Sequence, residues 1–362
     1  MSEDPRPVLF VTNHAPSFRL GAFRRLHERE QVTFALVGGE LRHGGGSGDQ
    51  EPEGFPVLRP RQREIARLAA SGRFRAVVAG LSGRVALPGA YLGARRARVP
   101  FVLWATIWAH PRTAAHALSY LPVRHLYRHA DAIVTYGPHV SAYVRSKGAR
   151  QTVVEAPQSV DDVFWKGHVE PIRHSEFQTM FVGRLAREKG LQVLLEAWRE
   201  SGLKAPNAAL ILAGDGPIRA RAVAAGAVLA TGPLEPGELR NFYAGSDVVV
   251  LPSIPTRDFL EPWGLVVNEA FDRGVPVIAT DAVGAVAGGL VRHEQTGLVV
   301  PAGDAAALGA AMTRLHDDPE LRKRLGEAGR EAVKAYSHEA WADGVSRALG
   351  GVGVSRTGKE GC

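Results

Sequence analysis

Short, unbroken apolar runs recur along the chain, separated by longer stretches in which apolar residues return every three or four positions. Residues 8–13, 32–37, 76–79, 101–106, 132–136 and 152–156 predict strands. Residues 19–29, 61–70, 85–95, 114–129 and 139–146 predict the helices between them. Strands with no polar alternation are buried on both faces, and helix-length connections join parallel neighbours. The first half therefore reads as a parallel sheet covered by helices.

Residues 161–176 are polar and aperiodic and read as a linker. The alternation then restarts, with strands at 179–183, 208–213, 228–231, 247–251 and 275–280 and helices at 190–200, 218–225, 236–244 and 264–273. Helices at 308–315 and 319–335 follow, and Ser337 caps a last one. Gly350 onward reads as a frayed tail. The expected fold class is α/β with two sheets, the ligand lying beyond the strand ends.

Length supports this division, since 362 residues suffice for two cores. Cys362 is the only cysteine, so no disulfide forms within the chain, which fits a reducing cytoplasm. The N-terminal segment is acidic and lacks the basic and apolar regions of a signal peptide, and the longest apolar run, 99–109, is too short to cross a bilayer. A soluble, cytoplasmic protein is expected. The net charge of +7 is unevenly placed: residues 1–165 carry +9 and the remainder −2. A basic first half suits an acidic acceptor or peripheral contact with the inner face of a membrane, with residues 61–75 its densest piece. No nucleic-acid motif or row of stacking aromatics accompanies the charge, so nucleic acid is not an expected partner.

The Gly-rich stretch His43-Gly-Gly-Gly-Ser-Gly-Asp-Gln50 reads as a surface loop. No Gly-x-Gly-x-x-Gly follows the first strand, which disfavours a dinucleotide-dependent oxidoreductase. His125 and His129 stand one helical turn apart without a third ligand, so no metal site is expected.

The candidate chemistry centres on Glu261-Pro-Trp-Gly-Leu-Val-Val-Asn-Glu269. A Pro-rich loop ends at Pro262 and a helix starts near Gly264, so Glu261 precedes the helix and Glu269 rides on it. A helix start offers unpaired N–H groups and a positive dipole end to a phosphate. Helical spacing from Leu265 puts Asn268, Glu269 and Asp272 on one polar face, with Val266, Val267, Ala270 and Phe271 turned toward the sheet.

A series of motifs in order then makes the second half resemble the nucleotide-binding domain of the retaining glycosyltransferases of family 4. They are Phe181-Val-Gly-Arg-Leu-Ala-Arg-Glu-Lys-Gly190, Leu212-Ala-Gly-Asp-Gly-Pro217, Gly232-Pro233, Ser246-Asp-Val-Val-Val-Leu-Pro-Ser253, the Glu-x7-Glu stretch, Gly274-Val-Pro-Val-Ile-Ala-Thr280 and Gly297-Leu-Val-Val. The resemblance implies the GT-B architecture, two Rossmann-like domains facing across a cleft. On this reading residues 1–165 form the acceptor side, 172–335 bind the nucleotide sugar, a helix at about 337–350 packs back on the first domain, and 351–362 are a flexible tail.

The resemblance also implies roles. Arg184 and Lys189 neutralise the donor diphosphate, Gly264 and Leu265 offer it backbone N–H groups, Glu269 holds the ribose and Glu261 the transferred sugar. Arg184, Lys189 and Glu261 count as catalytic together with His110, the residue after strand 101–106 that matches a family histidine; His116 is its runner-up. The family's Gly-Gly pair after strand one is missing, leaving Arg19 or Gly21 as candidates for that phosphate loop. The implied enzyme is a hexosyltransferase that retains anomeric configuration by a front-face route, without metal or cofactor. It would pass sugar from a nucleotide-diphosphate donor to a small-molecule or lipid-linked hydroxyl, in making a cell-envelope glycan or a specialised-metabolite glycoside. A nucleotide-sugar epimerase and a non-catalytic sugar-nucleotide-binding subunit are the alternatives.

Overall fold

The computed structural model describes residues 4–38, 52–81, 83–220 and 228–356. The Gly-rich stretch 43–50, Cys362 and most of the helix expected at 218–225 lie outside them. The described residues form two compact units: those up to Ser159 together with those from Tyr336 onward, and those of 160–335.

In the first unit, β1 (Val8–Thr12), β2 (Val32–Leu36), β3 (Val57–Leu58), β4 (Ala76–Gly80), β5 (Phe101–Ala105), β6 (Ala132–Thr135) and β7 (Thr152–Glu155) form a parallel sheet in the order β3-β2-β1-β4-β5-β6-β7. The helices are α1 (Ser17–Glu30), α2 (Ile65–Ala69), α3 (Ala86–Ala97), α4 (Ala114–His129) and α5 (Pro138–Ser146). Val8, Leu9, Phe10, Val77, Val78 and Val102 are fully buried, as strands covered on both faces require. The C-terminal helix His338–Gly351 packs on α1, β6 and β7. Its Trp341 joins Phe10, Phe23 and Trp104 in one aromatic cluster.

The segment after that helix is no frayed tail as far as residue 356. Val352 and Val354 pack on the first core. Glu30, buried with Arg75 at 2.8 Å, also accepts from Ser355 Oγ at 2.6 Å and from the Arg356 amide at 3.0 Å. Arg75 in turn donates to the Val354 carbonyl at 2.8 Å. A buried carboxylate must be satisfied, and the Gly-rich segment supplies part of that satisfaction.

In the second unit, β8 (Phe177–Val182), β9 (Ala208–Ala213), β10 (Val228–Gly232), β11 (Val248–Leu251), β12 (Val277–Thr280) and β13 (Gly297–Val300) are parallel in the order β10-β9-β8-β11-β12-β13. The order reverses between β8 and β11, and ligands of open α/β sheets bind beyond the strand ends at such a reversal. Residues 161–176, expected to be plain linker, contain the helix Asp162–Lys166, capped by Asp161. It docks on the helix Val266–Asp272: Arg273 Nη1 donates to the Trp165 carbonyl at 2.8 Å, and Lys166 Nζ lies 3.7 Å from Asp272 Oδ1.

Candidate functional site

The loops that leave the carboxyl ends of β8, β9 and β11 are joined backbone to backbone. The Leu185 amide donates to the Asp215 carbonyl at 2.8 Å, and the Ile254 amide to Glu188 at 3.0 Å. Glycine makes this closeness attainable. At Gly190, φ is +71° and a Cβ would lie 1.7 Å from the Pro252 carbonyl oxygen. The loop bearing Arg184 and Lys189 is thus seated against the start of the loop bearing Glu261.

Lys189 Nζ and Glu261 Oε2 are 2.5 Å apart, and Nζ lies 5.2 Å from the centre of the Phe259 ring. Buried Ser253 donates its hydroxyl to the same carboxylate oxygen at 2.9 Å, and Thr280 Oγ1 fixes the Ser253 carbonyl at 2.5 Å. Glu261 is itself buried, and its own carbonyl accepts from the Gly284 amide at 3.1 Å. Arg184 pairs with Glu188 and keeps half of its side chain in solvent.

Gly264 sits at φ +95°, where a Cβ would stand 2.5 Å from Leu251 Cδ2. The turn at Gly264 leads through Leu265 into the helix Val266–Asp272, where the Val267 amide donates to the Gly264 carbonyl at 3.0 Å and the Glu269 amide to that of Leu265 at 3.1 Å. On that helix Glu269 accepts a hydrogen bond from the buried Tyr243 hydroxyl at 2.6 Å. Burial pushes the Glu269 carboxyl up to about 7, Tyr243 pulls the other way, and the nearby Asp272 adds to the rise. Tyr243 is held well above its ordinary range by burial, so it stays a donor.

The polar face expected on this helix is only partly polar. Asn268 is buried and accepts from Trp263 Nε1 at 2.8 Å, because an indole N–H inside the core needs an acceptor. Asp272 is buried beneath the Asp162–Lys166 helix, and burial raises its carboxyl to about 6 against the pull of Lys166. Glu269 alone of the three keeps part of its surface exposed. Ser253 and Tyr243, the two hydroxyls that orient the carboxylates, do not stand out in the sequence. Ser253 closes one of the ordered motifs, whereas nothing local marks Tyr243.

The phosphate-loop expectation for the first unit is corrected by the structure. Arg19 is 4% exposed, donates to Gln158 Oε1 and lies 5.2 Å from the Trp104 ring and 5.7 Å from Trp341. It is a guanidinium packed in an aromatic box rather than one offered to a ligand. Gly21 lies within α1, where a Cβ would stand 2.3 Å from His338 Nδ1, so it serves helix packing. His110 lines a cavity of about 750 Å³ with Trp108, Arg112, Tyr120, Tyr143 and Lys147. Its Nε2 donates to the His116 carbonyl at 2.7 Å, and its buried Nδ1 has no hydrogen-bond partner among the described residues. His116 is exposed on α4 and bonded to Thr113.

The sequence pattern of the family described as glycosyl transferases group 1 matches residues 167–332. Residues 167–332 are a group 1 glycosyl transferase domain. Lys189, Glu261, Gly264 and Glu269 all lie within this glycosyl transferase domain. The chain is similar to an alpha-D-kanosaminyltransferase of Streptomyces kanamyceticus, 32% identical over 47% of this chain and 45% of that protein. It is also similar to the lipopolysaccharide core biosynthesis glycosyltransferase LpsE of Rhizobium meliloti, 29% identical over 62% of this chain and 65% of that protein. The match thus spans less than half of the first relative's length.

Among solved structures, Anabaena HepE in complex with UDP and glucose superposes with a TM-score of 0.74 at 17% identity, covering 95% of this chain and 99% of that one. Sucrose-phosphate synthase from Thermosynechococcus elongatus gives 0.72 at 19% identity, covering 94% and 98%. The α/β, GT-B fold class expected from sequence is the one observed. Among the described residues no group of three His, Cys, Asp or Glu side chains is placed to hold a metal, and no helix is long and apolar enough to cross a membrane.

Proposed function

We propose that the protein is a retaining, metal-independent glycosyltransferase that moves a hexosyl group from a nucleotide-diphosphate sugar to a hydroxyl acceptor. One observation carries the reading: a glycosyl transferase domain holds two separately oriented carboxylates, Glu261 on Ser253 and Lys189, and Glu269 on Tyr243, at the carboxyl end of β11. The UDP and glucose bound by HepE, and the glycosyl transfer for which the two relatives are named, support a nucleotide-sugar donor.

In this reading Glu269 accepts hydrogen bonds from two ribose hydroxyls, a task for an ionised carboxylate with one oxygen already fixed by Tyr243. Lys189 and Arg184 meet the diphosphate, together with N–H groups of the Gly264–Leu265 turn. As the glycosidic bond breaks, negative charge grows on the departing phosphate; cations already in place favour that state over the ground state. Glu261, held by Ser253, receives hydroxyls of the transferred sugar. The departing phosphate oxygen takes the acceptor proton, so no protein nucleophile is required. His110 is the first unit's candidate for the reacting centre, its buried Nδ1 having no partner among the described residues.

The test is product stereochemistry. The purified protein, with chelator present, is given a panel of nucleotide sugars and hydroxyl acceptors, and the anomeric configuration of the product is read by NMR. A retained configuration at an undiminished rate is expected. An inverted product, or activity lost to chelation, would overturn the mechanism, and donor conversion without acceptor would favour an epimerase.

A further inference from the structure

The crossovers from β3 to β7 all run in one direction across the first sheet, and right-handed crossovers then put α2, α3, α4 and α5 on the same face. The helices lie side by side, with Tyr91 of α3 against His125 of α4 at 5.7 Å and Tyr127 of α4 against Tyr143 of α5 at 6.1 Å. From Ile65 to Arg150 this layer and its connections carry thirteen Lys and Arg residues and a single acid, Asp131. An Arg-rich composition can add cations but does not remove Asp and Glu, and 36 of the chain's 37 acids lie elsewhere. The one acid is engaged: Asp131 accepts from Arg95 at 3.1 Å and from the Phe101 amide at 2.7 Å. Arg112, Arg128, Arg145 and Arg150 are exposed and form no ion pair among the described residues.

The same layer carries the most exposed large apolar side chain of the described residues, Leu118, and a second exposed leucine beside it. Leu118 is 84% exposed and Leu121 68%, three positions apart on α4 and hence on one face. The later turns of that helix bury Leu126 and Tyr127, so α4 is anchored at one end and presents its leucines at the other. Beside them, Ala117 and Tyr120 of α4 line the His110 cavity, whose wall also holds Trp108, Tyr143, Arg112 and Lys147. Paired leucines, interfacial aromatics and unpaired cations on one layer match an anionic bilayer surface in both polarity and charge.

We propose that the α2–α5 layer docks on an anionic lipid bilayer, with Leu118 and Leu121 entering the acyl boundary and the surrounding cations meeting lipid headgroups. The contact rests on the first unit alone and needs neither donor nor acceptor, so its success or failure is independent of the proposed reaction.

The test is co-sedimentation of the full chain with phosphatidylcholine vesicles, with and without phosphatidylglycerol. Binding to the anionic vesicles is expected to exceed binding to the neutral ones by about tenfold or more and to fall with added salt. Leu118→Gln with Leu121→Gln should lower binding to the anionic vesicles by about tenfold or more. Both positions are exposed, so the variant should keep its melting temperature; should it not, Leu118→Ala alone serves the same comparison. Equal binding to both vesicle types would overturn the proposal. So would full binding by the double variant together with displacement by double-stranded RNA, which would make this a face for soluble polyanions.

Discussion

Replacing Glu269 by Gln should stabilise the protein at alkaline pH while impairing its ligand site. The carboxyl is raised from 4.5 in the unfolded chain to about 7 in the fold, chiefly because burial penalises its charge. Between those values the folded state keeps a proton that the unfolded chain has lost, so stability falls as pH rises through this window and the penalty is complete above it. At about 1.4 kcal/mol per pH unit, the shift sets an upper limit of about 3 kcal/mol. Glu269 keeps some of its surface in water, which lowers the expected effect to about 1–3 kcal/mol. Gln removes the charge and keeps an oxygen to accept from Tyr243. In urea titrations the variant should match the parent near pH 4 and exceed it by that amount at pH 8. If Glu269 binds ribose, nucleotide affinity should fall in the same variant, since an amide is a weaker acceptor for two hydroxyls. Equal stability at pH 8, or the same gain at both pH values, would refute the argument that this carboxylate is held at a cost.

Lys189→Ala should leave Glu261 buried without its cation and lower transfer by about 100-fold or more, as loss of one fixed charge-stabilising group does; steady-state rates with saturating donor test this. Glu30→Ala should cost about 3–5 kcal/mol in urea titrations, because Arg75 is left as an uncompensated buried charge, and Glu30→Leu with Arg75→Leu should recover much of that loss. Gly190→Ala should lower the melting temperature far more than Gly202→Ala. Both sit at positive φ, yet the first Cβ meets the Pro252 carbonyl at 1.7 Å and the second meets nothing within 4 Å, so only the strain of about 1–3 kcal/mol is common to them.

The elements were legible in sequence where one physical signal dominated. Parallel strands buried on both faces leave apolar runs that only their helices interrupt, and this placed β1, β5, β8, β9 and β11 without further information. The two-residue β3 was missed because Val57 and Leu58 sit among prolines and glycines, and its pairing with Phe34 and Ala35 comes from the neighbouring strand. The Asp162–Lys166 helix was missed for a related reason. One turn has no period to detect, and its stability comes from docking Trp165 and Lys166 against residues over 75 positions away.

The site divides along the same line. Glu261 and Glu269 were visible because spacing fixed them on either side of one helix start, but the groups that orient them were not. Ser253 precedes Glu261 by 8 positions and Tyr243 precedes Glu269 by 26, and helical period reports neither relation. Arg19 shows the opposite error. A cation just after the first strand reads as a phosphate ligand until Trp104, Tyr136 and Trp341, drawn from three distant segments, are seen to enclose it. For a cation near a strand end, a path to solvent separates the two readings. Arg184, with half its side chain exposed, keeps such a path, and Arg19 does not.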